Sequence, residues 1–250
     1  MRVSLQPVDD AVNEAGCLKF LAGYMPYHLE RKIGFYMDEP NFKLMYSDME
    51  GQITRSSKFG KLIYTIASDP DGPKMWLDVG TWNGCGTTTC ILDGFHESGV
   101  KKELTSVELQ PFMWNVAKEN LKDHPAISMT TFARAKISGP SGEDYILHPP
   151  KGETCAHYRL HYETDMALWS TADTLQFKNE PEAVVLDGGE YTGYVDWVFV
   201  PKGSLKYVFL DDSAILKNQK VRAELLASSE WTLLEEDLKD RNGWSAFIKN

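Results

Sequence analysis

Acidic residues stand directly after three short strand-like runs of this chain, two of them wholly apolar. Glu108 follows Leu104 to Val107, Asp187 follows Ala183 to Leu186 in VVLDGGEYTGY, and Asp211 with Asp212 follows Tyr207 to Leu210 in YVFLDDSAILKN. What such carboxylates do depends on their company. A single one can accept hydrogen bonds from the vicinal hydroxyls of a ribose. One with a raised pKa can take a proton from a reacting hydroxyl. Three together repel and raise one another's pKa. A divalent cation such as Mg²⁺, which prefers carboxylate oxygen, relieves that repulsion. Adjacent parallel strands lie ~4.8 Å apart, so Asp187, Asp211 and Asp212 can converge as metal ligands. Read instead as turn residues and helix caps, Asp211 and Asp212 do none of this.

A fourth stretch, Met75 to Thr89, reads MWLDVGTWNGCGTTT. Apolar residues lead to Asp78, then Gly80, Thr81, Gly84 and Gly86, then Thr87 and two more threonines. This pattern predicts a buried strand, a tight glycine turn and a helix start. Glycine is used where the chain turns sharply or lies against a ligand, and the first N–H groups of the helix point back at that ligand. A phosphate-binding P-loop needs Lys and then Ser or Thr after its last glycine, and Gly86 is followed by three threonines. The dinucleotide pattern G-x-G-x-x-G is absent as well, because the spacing here is G-x-x-x-G-x-G. A plain glycine turn of an α/β protein is the bland alternative. A branched side chain at Gly80 is expected to intrude on the ligand space.

These residues need a sheet whose strand ends meet. Runs rich in apolar and β-branched residues predict strands at Met75 to Val79, Leu104 to Val107, Ile127 to Phe132, Ala183 to Leu186 and Tyr207 to Leu210. A hairpin from Trp231 to Glu235 and Ser245 to Ile248 is expected to close the chain through Asp240-Arg241-Asn242-Gly243. Helices are expected between the strands: Lys58 to Ala67 with Ser56 or Ser57 as N-cap, Thr87 to Glu97, Phe112 to Leu121 after Pro111, His157 to Thr171, Tyr191 to Phe199, and Ile215 to Ala227. Gly139 to Glu153, rich in Pro and Gly, reads as a covering loop. Alternating strands and helices mean an α/β, Rossmann-like, mainly parallel sheet covered on both faces. Residues 1–57 show no strand alternation and read as a mostly helical N-terminal cap before a main domain over 58–250; aromatics from Tyr36 to Met49 either pack on the core or line an acceptor pocket.

The chain has 250 residues, 42% of them hydrophobic, enough for one large core. No apolar run approaches the ~20 residues of a membrane span, and the N-terminus lacks a signal-peptide core. Cys17, Cys85, Cys90 and Cys155 show no paired metal spacing, so reduced thiols and a cytoplasmic location are expected. A net charge of −10 argues against a nucleic-acid partner held through phosphates.

The arrangement D-x-G-x-x-x-G-x-G from Asp78 to Gly86, followed by Glu108 after the next strand, resembles the class I S-adenosylmethionine (SAM) methyltransferases. The resemblance implies that the glycine turn runs under the methionine part of SAM, with Asp78, Gly80, Thr81, Gly84, Gly86 and Thr87 around the cofactor and Glu108 on its ribose. The D-G-x-x-Y after Asp187 and the L-D-D ending in Asp212 look like the metal-dependent sugar O-methyltransferases of the macrocin type. Together with the closing R-N-G-W-S-A-F, Arg241 to Phe247, they also look like glycan-modifying methyltransferases of large DNA viruses and bacteria. That resemblance covers about Lys58 to Asn250. It implies Mg²⁺ on Asp187, Asp211 and Asp212, and a sugar hydroxyl of a glycan, such as a rhamnose, as acceptor. It places a base carboxylate two residues past the first Asp, where this chain has Gly189. Glu190, one residue further, or Asp187 itself is the available catalytic carboxylate.

Other readings stay open. A metal-dependent glycosyltransferase would use the acidic residues to hold a nucleotide-sugar pyrophosphate but leaves the glycine pattern unexplained. A non-catalytic SAM-fold subunit of a partner would suit Gly189, and a catechol-type acceptor would satisfy the same acidic site. Lys217 reads as a solvated helix lysine sooner than a base, and His157, His161 and Asp165 as surface or adenine-pocket residues sooner than a metal site. Arg55 is a weaker candidate for the SAM carboxylate. Trp82 and Trp114 suit pocket wall or core.

Overall fold

The computed structural model describes residues 52–149 and 156–250. The expected helical cap falls outside them except for residues 52–57, as do Cys17, Cys155 and the Tyr36 to Met49 stretch. Among the described residues, no helix is long and apolar enough to cross a membrane.

Seven strands form one sheet. In chain order the elements are α1 (Lys58–Ser68), β1 (Met75–Val79), α2 (Thr87–Ser98), β2 (Glu103–Val107), α3 (Pro111–Leu121), β3 (Thr130–Ala133), β4 (Ala135–Lys136), α4 (Ala156–Thr171), β5 (Asp173–Thr174), β6 (Ala183–Leu186), α5 (Gly193–Phe199), β7 (Tyr207–Asp211), α6 (Leu216–Ala227), β8 (Trp231–Asp237) and β9 (Trp244–Lys249). The sheet order is β3-β2-β1-β6-β7-β9-β8; β4 and β5 pair separately. All pairings are parallel except those of β9 with β7 and β8. The Rossmann-like, mainly parallel sheet is therefore as expected.

Strand residues alternate between two cores. Trp76, Phe209, Ala246 and Trp244 face one side, under Phe59 and Ile63 of α1 and Phe95 of α2. Trp76 stacks on Phe209 at 5.7 Å between ring centroids, and Phe59 on Trp244 at 5.1 Å. Leu77, Val79, Val184, Leu186, Val208 and Leu210 face the other side, under Trp197 of α5 and Val221 and Leu225 of α6. Burying each large apolar side chain contributes roughly 1.5–3 kcal/mol. Ser57 caps α1, its Oγ accepting from the Gly60 N–H at 3.1 Å. The other end of α1 is closed by the buried Lys102, whose ammonium donates to the Ala67 and Asp69 carbonyls at 2.6 and 2.7 Å.

One strand expectation needs correction. Ile127–Met129 is a 3-10 turn, and the third strand runs Thr130–Ala133. The Ile127 N–H goes to the His124 carbonyl and the Met129 N–H to that of Ala126, so these apolar residues turn before the chain extends. Within the expected covering loop lies a second 3-10 turn, Gly142–Tyr145.

Register brings the acidic residues together. Val79 pairs with Val107 on one side and Leu186 on the other, and Leu186 pairs with Leu210. Gly80, Glu108, Asp187 and Asp211, each next in its chain, therefore meet at the carboxyl ends of four adjacent strands. In open α/β sheets, ligands bind at those ends.

Candidate functional site

The glycine turn is held from below. Asp78 is fully buried, and its carboxylate accepts from the hydroxyls of Thr87, Thr88 and Ser106 at 3.0, 2.5 and 3.2 Å. The hydroxyls of Thr81 and Ser106 are hydrogen-bonded to each other at 2.6 Å. Burial pushes the Asp78 carboxyl up to about 6, against the three hydroxyl donors. The side chains of Asp78, Thr81 and Thr87, expected around a cofactor, thus form a brace that fixes the turn to β1, β2 and α2.

Two glycines in the turn answer to geometry. Gly80 has φ +94°, and a Cβ there would run into the Asp187 carbonyl. Gly84 has φ +81°, and its Cβ would meet Leu121 of α3 at 2.8 Å. Space for a ligand is not what forbids a side chain at Gly80, contrary to expectation; the end of β6 does. Gly86 is the N-cap of α2, with no side chain capping that helix.

Glu108 is where a ribose carboxylate was expected. Its two oxygens accept the Trp82 and Gln110 N–H groups, both at 2.8 Å, and burial pushes its carboxyl up to about 7. The Trp82 end of this contact belongs to the glycine turn, with φ +51°, so Glu108 links the turn to the next joint. Each carboxylate oxygen retains a lone pair for a further donor.

The second constellation also assembles. One oxygen from each of Asp187, Asp211 and Asp212 lies within 4.8 Å of the others. Asn218 fixes the strands that carry them, its amide nitrogen donating to the Leu186 carbonyl at 2.8 Å and the Asp211 carbonyl at 2.7 Å. Asp212 leaves β7 with φ +51°, a left-handed turn that aspartate tolerates.

Between these carboxylates stands Lys217, in the first turn of α6. Its Nζ is 2.5 Å from Asp187 Oδ1 and 3.0 Å from Asp212 Oδ2, and its side chain is 8% exposed. Burial would lower the Lys217 pKa, but Asp187, Asp212 and Asp211 outweigh it and hold the ammonium well above its usual range. Arg241, in the β8–β9 turn, pairs with Asp211. Lys217 is therefore no solvated helix lysine, and two cations of the chain meet the repulsion that sequence alone left to a metal. The oxygen donors suit a hard divalent ion, yet two of the three carboxylates already share one ammonium.

Asp165, read from the sequence with His157 and His161 as a surface or adenine-pocket residue, lies against the loop after β6. It comes from α4 and accepts the Tyr191 N–H at 2.8 Å. Gly189, the position of the expected base, is glycine for a steric reason. A Cβ there would meet Thr192 Oγ1 at 2.5 Å and Asp165 Oδ2 at 2.8 Å. Asp196 of α5 similarly lies against Gly188, and burial keeps its carboxyl well above the usual range. Glu190 faces Lys217, Asp212 and Asp165, and burial, partly offset by Lys217, pushes it up to about 7. Asp165 comes from α4 and Asp196 from α5, so nothing in their spacing from Asp187 ties them to this loop.

Of the weaker candidates, Arg55 pairs with Asp93 at 3.4 Å and lies over the Tyr64 ring. Trp82 packs with Phe112 and Met113, and Trp114 carries the Lys118 ammonium over its ring. The side chain of His157 lies outside the described residues. Cys85 and Cys90 are free thiols.

No protein-family model matches this chain, and neither does any curated protein. Solved structures do match in fold. An O-methyltransferase of Streptomyces achromogenes, TomG, involved in tomaymycin synthesis and solved with SAM, superposes with TM-score 0.50 and 12% identity over 90% of this chain and 94% of its own. A Staphylococcus aureus protein named as a caffeoyl-CoA O-methyltransferase gives TM-score 0.51 and 12% identity over 95% and 99%. A Geobacter sulfurreducens methyltransferase gives 0.52 and 9% over 93% and 98%. The chain has the Rossmann-like fold of these methyltransferases.

Proposed function

We propose that this protein is a SAM-dependent O-methyltransferase acting on a sugar hydroxyl of a glycan, with a deoxyhexose such as rhamnose as the acceptor type. One observation carries the reading: the braced glycine turn, Glu108 and the group Asp187–Glu190–Asp211–Asp212 share the carboxyl ends of adjacent strands. A cofactor over Gly80 to Gly86 with its ribose on Glu108 then has its reactive end facing the carboxylates. SAM-bound TomG, with the same fold, supports this placement.

Transfer is a direct displacement. SAM held over Gly80 to Gly86 and by Glu108 would supply an electrophilic methyl group to the acceptor oxygen and would leave as the neutral thioether. Aligning oxygen, carbon and sulfur is the larger share of the task. The hydroxyl proton goes to Glu190, whose raised pKa suits a base near neutral pH. Asp187, held by Lys217, orients the hydroxyl. The magnesium expected on Asp187, Asp211 and Asp212 supplies no step in this mechanism, because Lys217 and Arg241 already engage those carboxylates.

The sugar assignment rests on the acidic motifs and on acceptor chemistry. A sugar hydroxyl is a far weaker acid than a phenol and needs carboxylate help. A phenolic or catechol hydroxyl is the second reading, favoured by the caffeoyl-CoA name of one fold relative. Incubation with SAM and rhamnosyl oligosaccharides, catechols or RNA, read as methyl incorporation by mass, separates these. The expected product is a methylated glycan; methylated catechol with unmodified glycan would refute the sugar acceptor. SAM at 100 times its Kd should also stabilise the fold by about 2.7 kcal/mol, whereas a nucleotide sugar should not.

Glu108 makes SAM binding pH-dependent in a defined sense. The carboxylate accepts ribose hydroxyls best when ionised, and its pKa is about 7. Affinity is therefore expected to weaken as pH falls through 7. Losing a charge-assisted hydrogen bond of about 1.5–3 kcal/mol costs roughly 10- to 100-fold. Calorimetry of Glu108→Gln from pH 6 to 8 should show weak, pH-flat binding; a pH-dependence equal to wild type would remove Glu108 from the ribose.

A further inference from the structure

The acidic group carries its cations in its own chain. We propose that Lys217 and Arg241 are the resident cations of this site, and that Asp187, Asp211 and Asp212 take up no divalent metal. What this implies for methyl transfer rests on the function proposed above; what it implies for metal binding does not.

The geometry is that of an occupied seat. A bound Mg²⁺ draws its oxygens to ~2.0–2.1 Å. Here Asp187 Oδ1 and Asp212 Oδ2 both turn to one ammonium at hydrogen-bond distance. An ion placed among them would stand against that ammonium, so metal and Lys217 exclude each other. Lys217 is not free to leave. Its neighbour Asn218 is tied to the ends of β6 and β7, and a Cβ built on Gly193 would lie 3.6 Å from Lys217 Cγ, so its stem runs along α5. Arg241 is held in turn, its second guanidinium nitrogen donating to Gln52 Oε1 at 2.9 Å.

Charge points the same way. Lys217 and Arg241 both pair with these carboxylates, so the negative charge of the acidic group is offset from within the chain. Lys217 thus does what a metal would do, neutralising and orienting Asp187.

The test uses chelator-treated full-length protein titrated with Mn²⁺, with free Mn²⁺ followed by electron paramagnetic resonance and heat by calorimetry. Wild type is expected to show no stoichiometric binding up to about 1 mM Mn²⁺, and methyl transfer is expected to be unchanged by chelator. One Mn²⁺ per chain at micromolar Kd, displaced by Mg²⁺ and lost in Asp212→Asn, would overturn the proposal. Lys217→Met should open the seat and bind Mn²⁺ about tenfold tighter or more. A folded Lys217→Met protein that gains nothing would also overturn it. Should Lys217→Met fail to fold, Lys217→Arg keeps the charge and is expected to exclude Mn²⁺ as wild type does; uptake by it would count against the proposal. Absence of methyl transfer to any acceptor would refute the proposed reaction but leave the Mn²⁺ result to decide the cation question.

Discussion

Gly80→Val is expected to unfold the protein, and to lose SAM binding only as a consequence. Gly80 sits at φ +94° with its missing side chain aimed at the Asp187 carbonyl. That carbonyl lies at the end of β6, which is hydrogen-bonded to β1 immediately beside the turn, the Asp187 N–H donating to the Val79 carbonyl at 2.8 Å. Valine brings two penalties. A β-branched residue at positive φ is strained by about 1–3 kcal/mol, and its Cβ must push the central strands β1 and β6 away from each other. The sum falls in the class above about 4–5 kcal/mol that marks severe core disruption, against a total stability of roughly 5–15 kcal/mol. Circular dichroism melting should show a large fall in Tm or no cooperative transition. A Gly80→Val protein that melts with wild type but no longer binds SAM would return that side chain to the ligand space.

Glu190→Gln should have the largest effect on chemistry. Removing a positioned general base lowers turnover by about 10²–10⁴-fold, and the amide is close to isosteric, so SAM affinity and Tm should hardly change. The sign of the wild-type pH profile follows from burial. Burial raises Glu190 to about 7, and only its ionised form accepts the hydroxyl proton. Wild-type kcat should therefore climb as pH rises through 7 and level off above it. In Glu190→Gln that rise should disappear with the rate. A variant that keeps both rate and profile would transfer the base role to Asp187.

The sheet was readable because β6 is a continuous apolar run, β7 is one up to Asp211, and β1 is broken only by Asp78, as strands buried on both faces tend to be. The chain from Ile127 was misread because a short apolar run does not distinguish a turn from a strand; local N–H pairing to His124 and Ala126 decides it. The acidic residues were legible because each directly follows a strand, where topology alone fixes their place. What they touch was not. Whether Thr81 and Thr87 face a ligand or a buried Asp78 depends on side-chain direction below the turn. Lys217, Arg241 and Asp165 reach the site from α6, the β8–β9 turn and α4, and such contacts across elements leave no spacing in the sequence. Polar residues of a helix look solvated until the carboxylates opposite them are known.

The sheet order has a bearing on when this site can exist. β9, made after the other strands of this sheet, lies between β7 and β8. Until it is in place β7 presents an unpaired edge, the kind that invites pairing with other chains, and β8 has no neighbour in the sheet. The turn between β8 and β9 also delivers Arg241 to Asp211 and docks against the chain after β7, with Ser213 and Ala214 donating to the Gly243 and Asn242 carbonyls, both at 2.9 Å. Closing the sheet, covering its exposed edge and completing the charge balance of the acidic group are thus one folding event. A nascent or partly unfolded chain lacking that strand has at once an exposed sheet edge and an acidic group without Arg241, so the stretch of its life in which it can aggregate is also one in which the candidate site is not yet assembled.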